Sequence, residues 1–93
     1  MLSVQVIGEV QAECLRQTEL KAAGRFTHTP ADPEVTNLAR LAILGEEFGE
    51  VARAVVESEG LANDRHDKKI RTELIQVMAV CASWIVGMEV TVP

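Results

Sequence analysis

The chain predicts an all-α fold, a helical bundle of three main helices in one domain spanning residues 1–93, on three observations. Although 47% of the sequence is hydrophobic, it holds no Tyr, two Phe and one Trp. The interior must therefore be built from Ala, Val, Leu and Ile, which suits interdigitated helices better than a sandwich with aromatic anchors. Three long segments carry apolar residues at three- and four-residue spacing. Two breaks marked by Gly, Pro and capping residues separate them.

The first helix is expected from Ser3, a capping residue, to Ala23, with Gly24 ending it. Gly24, Pro30 and Pro33, with Thr27, His28 and Thr29 between them, define a loop. Asp32-Pro33-Glu34 offers a cap, a proline at the first helical position and an acid in the first turn, so the second helix is expected to start there. It should run to about Ser58, with Gly60 beyond. Its expected seam is Leu41, Leu44, Phe48, Val51 and Val55. Gly45 and Gly49 weaken a helix interior by about 1 kcal/mol each against Ala, which predicts a neighbouring backbone lying close to both.

The third helix is expected from Asn63 or Asp64 to Gly87. From Leu74 to Met88 it has 15 residues without a charge and is apolar almost all round, the pattern of a helix covered on every side. Two further helices cannot cover it, so the bundle is expected to be completed by oligomerisation. The same run is short for a membrane span and is interrupted by Gln76 and Ser83. Met1–Val10 has neither a basic lead-in nor a long apolar run, unlike a signal peptide. These readings point to a cytoplasmic protein with no membrane partner.

Charge narrows the partners. With 14 acidic and 9 basic side chains the formal net charge is −5, which disfavours binding to nucleic-acid polymers. Cys14 and Cys81 lack CxxC spacing and are expected to be reduced, buried and small packing groups.

The chemistry is expected from carboxylates. Glu46, Glu47 and Glu50 cluster on the second helix, and 22 residues separate Glu50 from Glu73 on the third. At about 100° per residue, Glu47 and Glu50 fall on a stripe with Ile43 and Ala54, while Glu46 points further out. Glu73 lines up with Val77, Val80 and Trp84, flanked by Gln76. An isolated EExxE string is ordinarily a solvated face. Carboxylates on apolar stripes of two helices are different, because burial of a charge requires a positive partner. Pairs three residues apart on facing helices can hold one hard cation such as Mg²⁺. A di-iron centre wants Glu-x-x-His, and neither His28 nor His66 has that spacing.

The segment LAILGEEFGEVARAV (Leu41–Val55), followed by RTELIQVMAV (Arg71–Val80), resembles the MazG-like nucleotide pyrophosphohydrolases. Their signature is EExxE, a spacer of this size, and ExxD. From about Leu15 through Ile85 the chain is similar to the short phage and bacterial members. The resemblance implies an all-α dimer or tetramer that hydrolyses a nucleoside triphosphate to the monophosphate and pyrophosphate, a house-cleaning activity dependent on Mg²⁺, with Mn²⁺ an alternative. It implies Glu47, Glu50 and Glu73 as metal ligands, with Gln76 in the fourth position, and Glu46 as a further ligand or the group orienting the attacking water. Gln76 departs from the motif's Asp and brings no charge. Longer members also supply phosphate-binding groups from a segment after the ExxD helix, which is not expected in a sequence ending at Pro93. Lys69, Arg71, Lys21 and Arg16 are the candidate phosphate contacts. The alternative expectation is a catalytically weak or inactive relative that binds nucleotide or metal or serves as an interaction module.

Overall fold

A computed structural model describes residues 1–25, 28–58 and 64–91, all helix or connecting turn, with no strand among them. The elements are α1 (Val4–Ala22), α2 (Asn37–Ser58) and α3 (Asp64–Thr91). Gly60 as a helix stop, Asn63 as an alternative helix start and Thr27 in the first loop lie outside the described residues. α1 and α2 both pack on α3 and not on each other. That arrangement leaves a cleft between them whose floor is α3.

Local chemistry sets the helix ends. Ser3 caps α1, its hydroxyl accepting from the Val6 N–H at 3.1 Å. At the other end Gly24 has φ +79°. Its N–H donates to the Lys21 carbonyl, and the Arg25 N–H reaches back to the Leu20 carbonyl at 2.8 Å. This is a Schellman closure, which needs the left-handed backbone that glycine adopts without strain.

α2 starts later than Asp32-Pro33-Glu34 suggests. Thr36 is the cap, accepting from the Ala39 N–H at 3.1 Å. Asp32 is occupied in the loop, where its carboxylate accepts from the Thr29 N–H at 2.9 Å and from Lys21 at 2.7 Å. A side chain turned back onto the preceding residues cannot also cap a helix ahead of it.

The face that α2 turns to α3 keeps only part of the expected seam: Leu44 and Val51 are half-buried, and the rest of that seam lies outside it. Arg40, Ala54 and Ser58 are buried, and Ile43, Glu47 and Val51 are half-buried along the same stripe. Leu41, Phe48 and Val55 lie roughly 100° around the helix and are exposed, Phe48 to 66%. Gly45 and Gly49 have open space where a Cβ would stand. The close approach expected there occurs at Gly87 instead, where an added Cβ would meet the Arg40 guanidinium and come within 2.6 Å of the Pro30 carbonyl. Gly87 therefore does not end α3, which continues for four more residues. It makes room for the loop.

Arg40 is the fastener at that point. It is buried and donates from Nε to the Pro30 carbonyl at 2.9 Å, from Nη1 to Asn37 Oδ1 at 3.0 Å, and from Nη2 to the Asp32 carbonyl at 2.9 Å. Buried charge is tolerated when each donor finds an acceptor. Asn37 Oδ1 also accepts from the indole N–H of half-buried Trp84 at 3.0 Å. The loop before α2 is thus clamped to the α2–α3 interface, which fixes one rim of the cleft.

The hydrophobic core is small. Ala54, Ala79 and Val80 are its buried members among the described residues. Cys14 is half-buried, whereas Cys81, expected inside, is exposed; both are free thiols. Over Arg65–Glu89 α3 is long and apolar enough, by length and composition, to cross a membrane. Its Leu74, Cys81, Ile85 and Met88 face is exposed in the single chain, while its opposite face buries Glu73, Val80 and Ser83.

Candidate functional site

The cleft between α1 and α2 has a volume of about 240 Å³. α1 contributes Arg16 and Gln17, α2 contributes Ile43, Glu46 and Glu47, and Val80 of α3 forms the floor. The clamped loop supplies His28, Thr29 and Pro30 as its rim. The helical register accounts for the placement: Glu47 sits two turns after Arg40 on the packing stripe of α2, and Glu73 two turns before Val80 on that of α3.

Glu73 is 6% exposed, so its carboxylate lies where the chain's apolar floor begins. Its Oε1 pairs with Lys69 at 3.3 Å. Gln76, one turn on, reaches two carboxylates with the same amide group. With nitrogen toward them it donates to Glu73 Oε2 at 2.9 Å and to Glu47 Oε2 at 3.2 Å. With oxygen toward them, three oxygens from two helices would face each other at those distances, which only a cation between them can support. The amide can serve either state by a half-turn of its terminal torsion.

Burial raises the pKa of Glu47, and the negative charges of Glu73, Glu13, Glu50 and Glu46 raise it further. Glu13, on α1, is a carboxylate the EExxE and ExxD spacings do not contain. Arg16 holds it in the charged form with hydrogen bonds of 2.8 and 2.6 Å, against an opposing push from burial, and Gln17 assists at 3.3 Å. A signal for it existed in the sequence. Glu13 shares the stripe of Val6, Val10 and Gln17 on α1, and a carboxylate on an inward stripe is the mark that singled out Glu47 and Glu73.

The remaining sequence-derived residues divide. Glu46 is exposed at the cleft wall. Glu50, expected on a buried stripe, is exposed: three residues on from Glu47 it is about 60° away from it around α2, off the line of Arg40, Glu47 and Ala54 that is covered. Arg16 lies in the cleft, held by Glu13, and the charge of Glu47 also favours its protonated form. Lys69 lies at Glu73. Arg71 points elsewhere, paired with Glu9 of α1 at 2.7 Å, and Lys21 is taken by Asp32. Those two cations tie α1 to α3 and to the loop.

A second group has metal-binding character. His28, Asp32 and Glu34 bring one ligand atom each within 4.8 Å of one another. His28 and Glu34 are exposed. Burial of Asp32 works to raise its pKa, but Lys21 and the Thr29 N–H outweigh it, and the net shift is downward. Its oxygens are already shared with those two donors, so this group has fewer free lone pairs for an ion than its composition suggests.

Compared with known protein families, curated proteins and solved structures, the chain matches none.

Proposed function

We propose that the chain is a metal-dependent nucleoside triphosphate pyrophosphohydrolase, resembling the MazG-like enzymes, that works as a homo-oligomer. The observation that carries this reading is the single amide of Gln76 reaching carboxylates of two helices, Glu73 and Glu47, at 2.9 and 3.2 Å. The donor set is all oxygen, which suits Mg²⁺ or Mn²⁺ over softer ions. Glu47 and Glu73, with the Gln76 carbonyl, would hold the ion, and Glu50 would join after rotating inward from the flank. A bound ion would offset the phosphate charge and make a water more acidic. Glu46, exposed at the cleft wall, would orient that water and accept its proton. Arg16 and Lys69 are the two candidate cations adjacent to the carboxylates, and each can exchange its present partner for a phosphate oxygen.

Surface area supports the oligomer. A folded monomer of this mass should expose about 5,300 Å², whereas this chain exposes 6621 Å². Large apolar side chains are among what is exposed: Leu38, Leu41, Phe48, Val55 and Val56 form an exposed face on α2, and α3 has its own. A second copy covering these faces would supply the core that one chain lacks and would also account for the apolar length of α3 without a membrane.

A pyrophosphate-release assay over canonical and modified triphosphates, with Mg²⁺ and with Mn²⁺, tests the activity. Turnover is expected, with loss of at least 10²-fold in Glu47→Gln and in Glu73→Gln. Absence of turnover at high enzyme concentration, in the wild type and in Gln76→Asp alike, overturns it. A second reading, a non-catalytic nucleotide- or metal-binding module, is favoured by one feature: the fourth position is the uncharged amide of Gln76, which with its nitrogen toward Glu73 and Glu47 bridges the two carboxylates by hydrogen bonds. Metal or nucleotide binding without turnover would select it.

A further inference from the structure

We infer that Gln17 selects the substrate's base, accepting a hydrogen bond from an exocyclic amine, so that amino-bearing bases such as cytosine and adenine are preferred over their oxo counterparts. This rests on the nucleotide reading above and adds a base site to it. Gln17 is 9% exposed, and its Oε1 has no hydrogen-bond partner. The amide cannot simply be turned. Its nitrogen donates to Glu13 Oε2 at 3.3 Å, and Arg16 keeps that carboxylate charged and therefore acceptor-only. Glu13 thus fixes the Gln17 amide with its nitrogen toward that carboxylate and its carbonyl turned from it.

Gln17 and Thr29 are wall residues of two clefts at once. One is the carboxylate cleft; the other, about 390 Å³, lies between α1 and the C-terminal half of α3 and is large enough for a heterocycle. The second cleft is mostly apolar, with Val10, Ala82 and Val86 in its lining. Three of its hydroxyl and thiol protons, those of Ser83, Cys14 and Thr18, are already committed. Ser83 donates to Cys14 Sγ at 3.5 Å, Cys14 donates to the Ala79 carbonyl at 3.6 Å, and Thr18 donates to the Cys14 carbonyl at 3.2 Å. What these three still offer is lone pairs, as does the unpartnered Gln17 carbonyl. A flat apolar ring carrying N–H donors satisfies them, whereas a ring edge of carbonyls leaves acceptor against acceptor.

The test is paired. Pyrophosphate release is measured for CTP against UTP and for ATP against ITP, and calorimetry compares CMP with UMP and AMP with IMP, in the wild type and in Gln17→Met, which keeps the length and removes the acceptor. The expected result is about a tenfold preference for the amino base in the wild type, falling to within about twofold in Gln17→Met. Turnover without any amino preference overturns the base assignment and leaves the hydrolase reading standing. A calorimetric preference removed by Gln17→Met, with no turnover, supports the base site and sinks the hydrolase reading. A preference that survives Gln17→Met places recognition elsewhere and overturns the proposal. If Gln17→Met does not fold, as circular dichroism would reveal, the wild-type comparison decides alone: no preference sinks the proposal and a preference supports it.

Discussion

Glu47 of α2 and Glu73 of α3 share one amide: with its nitrogen turned toward them, Gln76 donates to Glu47 Oε2 at 3.2 Å and to Glu73 Oε2 at 2.9 Å. Two carboxylates meeting beside an apolar floor repel each other. An amide between them supplies two donors in the absence of a cation and an oxygen in its presence. An aspartate at the same position would supply only oxygens.

Gln76→Asp therefore separates stability from metal binding. In EDTA the variant loses two hydrogen bonds to charged acceptors and gains a third negative charge, for an expected loss of about 2–3 kcal/mol. That corresponds to a fall in Tm of roughly 10 °C or more for a domain this small. Titrating Mg²⁺ should raise its Tm more steeply than that of the wild type. Thermal melts with and without metal check this; equal metal responses in the two proteins would count against an ion at Glu47 and Glu73.

The pH dependence follows from Glu47. Its pKa is raised in the folded chain by burial and by Glu73, Glu13, Glu50 and Glu46. The folded state then binds the proton more tightly than the unfolded state, so this group's contribution to stability falls as pH rises through the interval from the ordinary carboxylate value to the raised one. Metal-free protein should gain stability on acidification through that interval, and Glu47→Gln should remove the gain. Below the interval the sign reverses. Glu13 and Asp32 have lowered pKa values, and their contribution, present above the ordinary carboxylate value, is lost as pH falls through the depressed ones. Urea midpoints across the two ranges in EDTA measure both.

Gly87→Ala should destabilise the loop clamp. The added methyl meets the Arg40 guanidinium and comes within 2.6 Å of the Pro30 carbonyl. An overpacked contact of this kind costs about 1–3 kcal/mol. Gly45→Ala and Gly49→Ala, with open space at the Cβ, should gain up to about 1 kcal/mol each in one chain unless a second copy presses on that face. Chemical denaturation of the three variants gives the contrast.

Phe48→Glu places a charge at the centre of the exposed α2 face. Sedimentation equilibrium should show the wild type larger than a monomer and the variant shifted toward monomer, with a lower and concentration-dependent Tm. A monomeric wild type at tens of micromolar would overturn the oligomer.

Sequence alone was enough for the three helices, for the Ser3 cap and the Gly24 closure, and for Glu47 and Glu73 as inward residues with Gln76 beside Glu73, since each depends on local backbone chemistry or on 3.6-residue periodicity. It placed Leu44 and Val51 of the α2 seam where they are half-buried but misassigned Leu41, Phe48 and Val55, because periodicity reveals an apolar stripe but not which neighbour covers it. Leu41, Phe48 and Val55 make the more apolar face, yet Arg40, Glu47 and Ala54 are the ones turned to α3. Tertiary structure decided that, along with the exposure of Glu50, the arrival of Glu13 from α1 and the crowding at Gly87. Each of these rests on contacts between residues distant in the chain, where hydrogen-bond geometry and steric fit act across space and leave no periodic trace along the backbone.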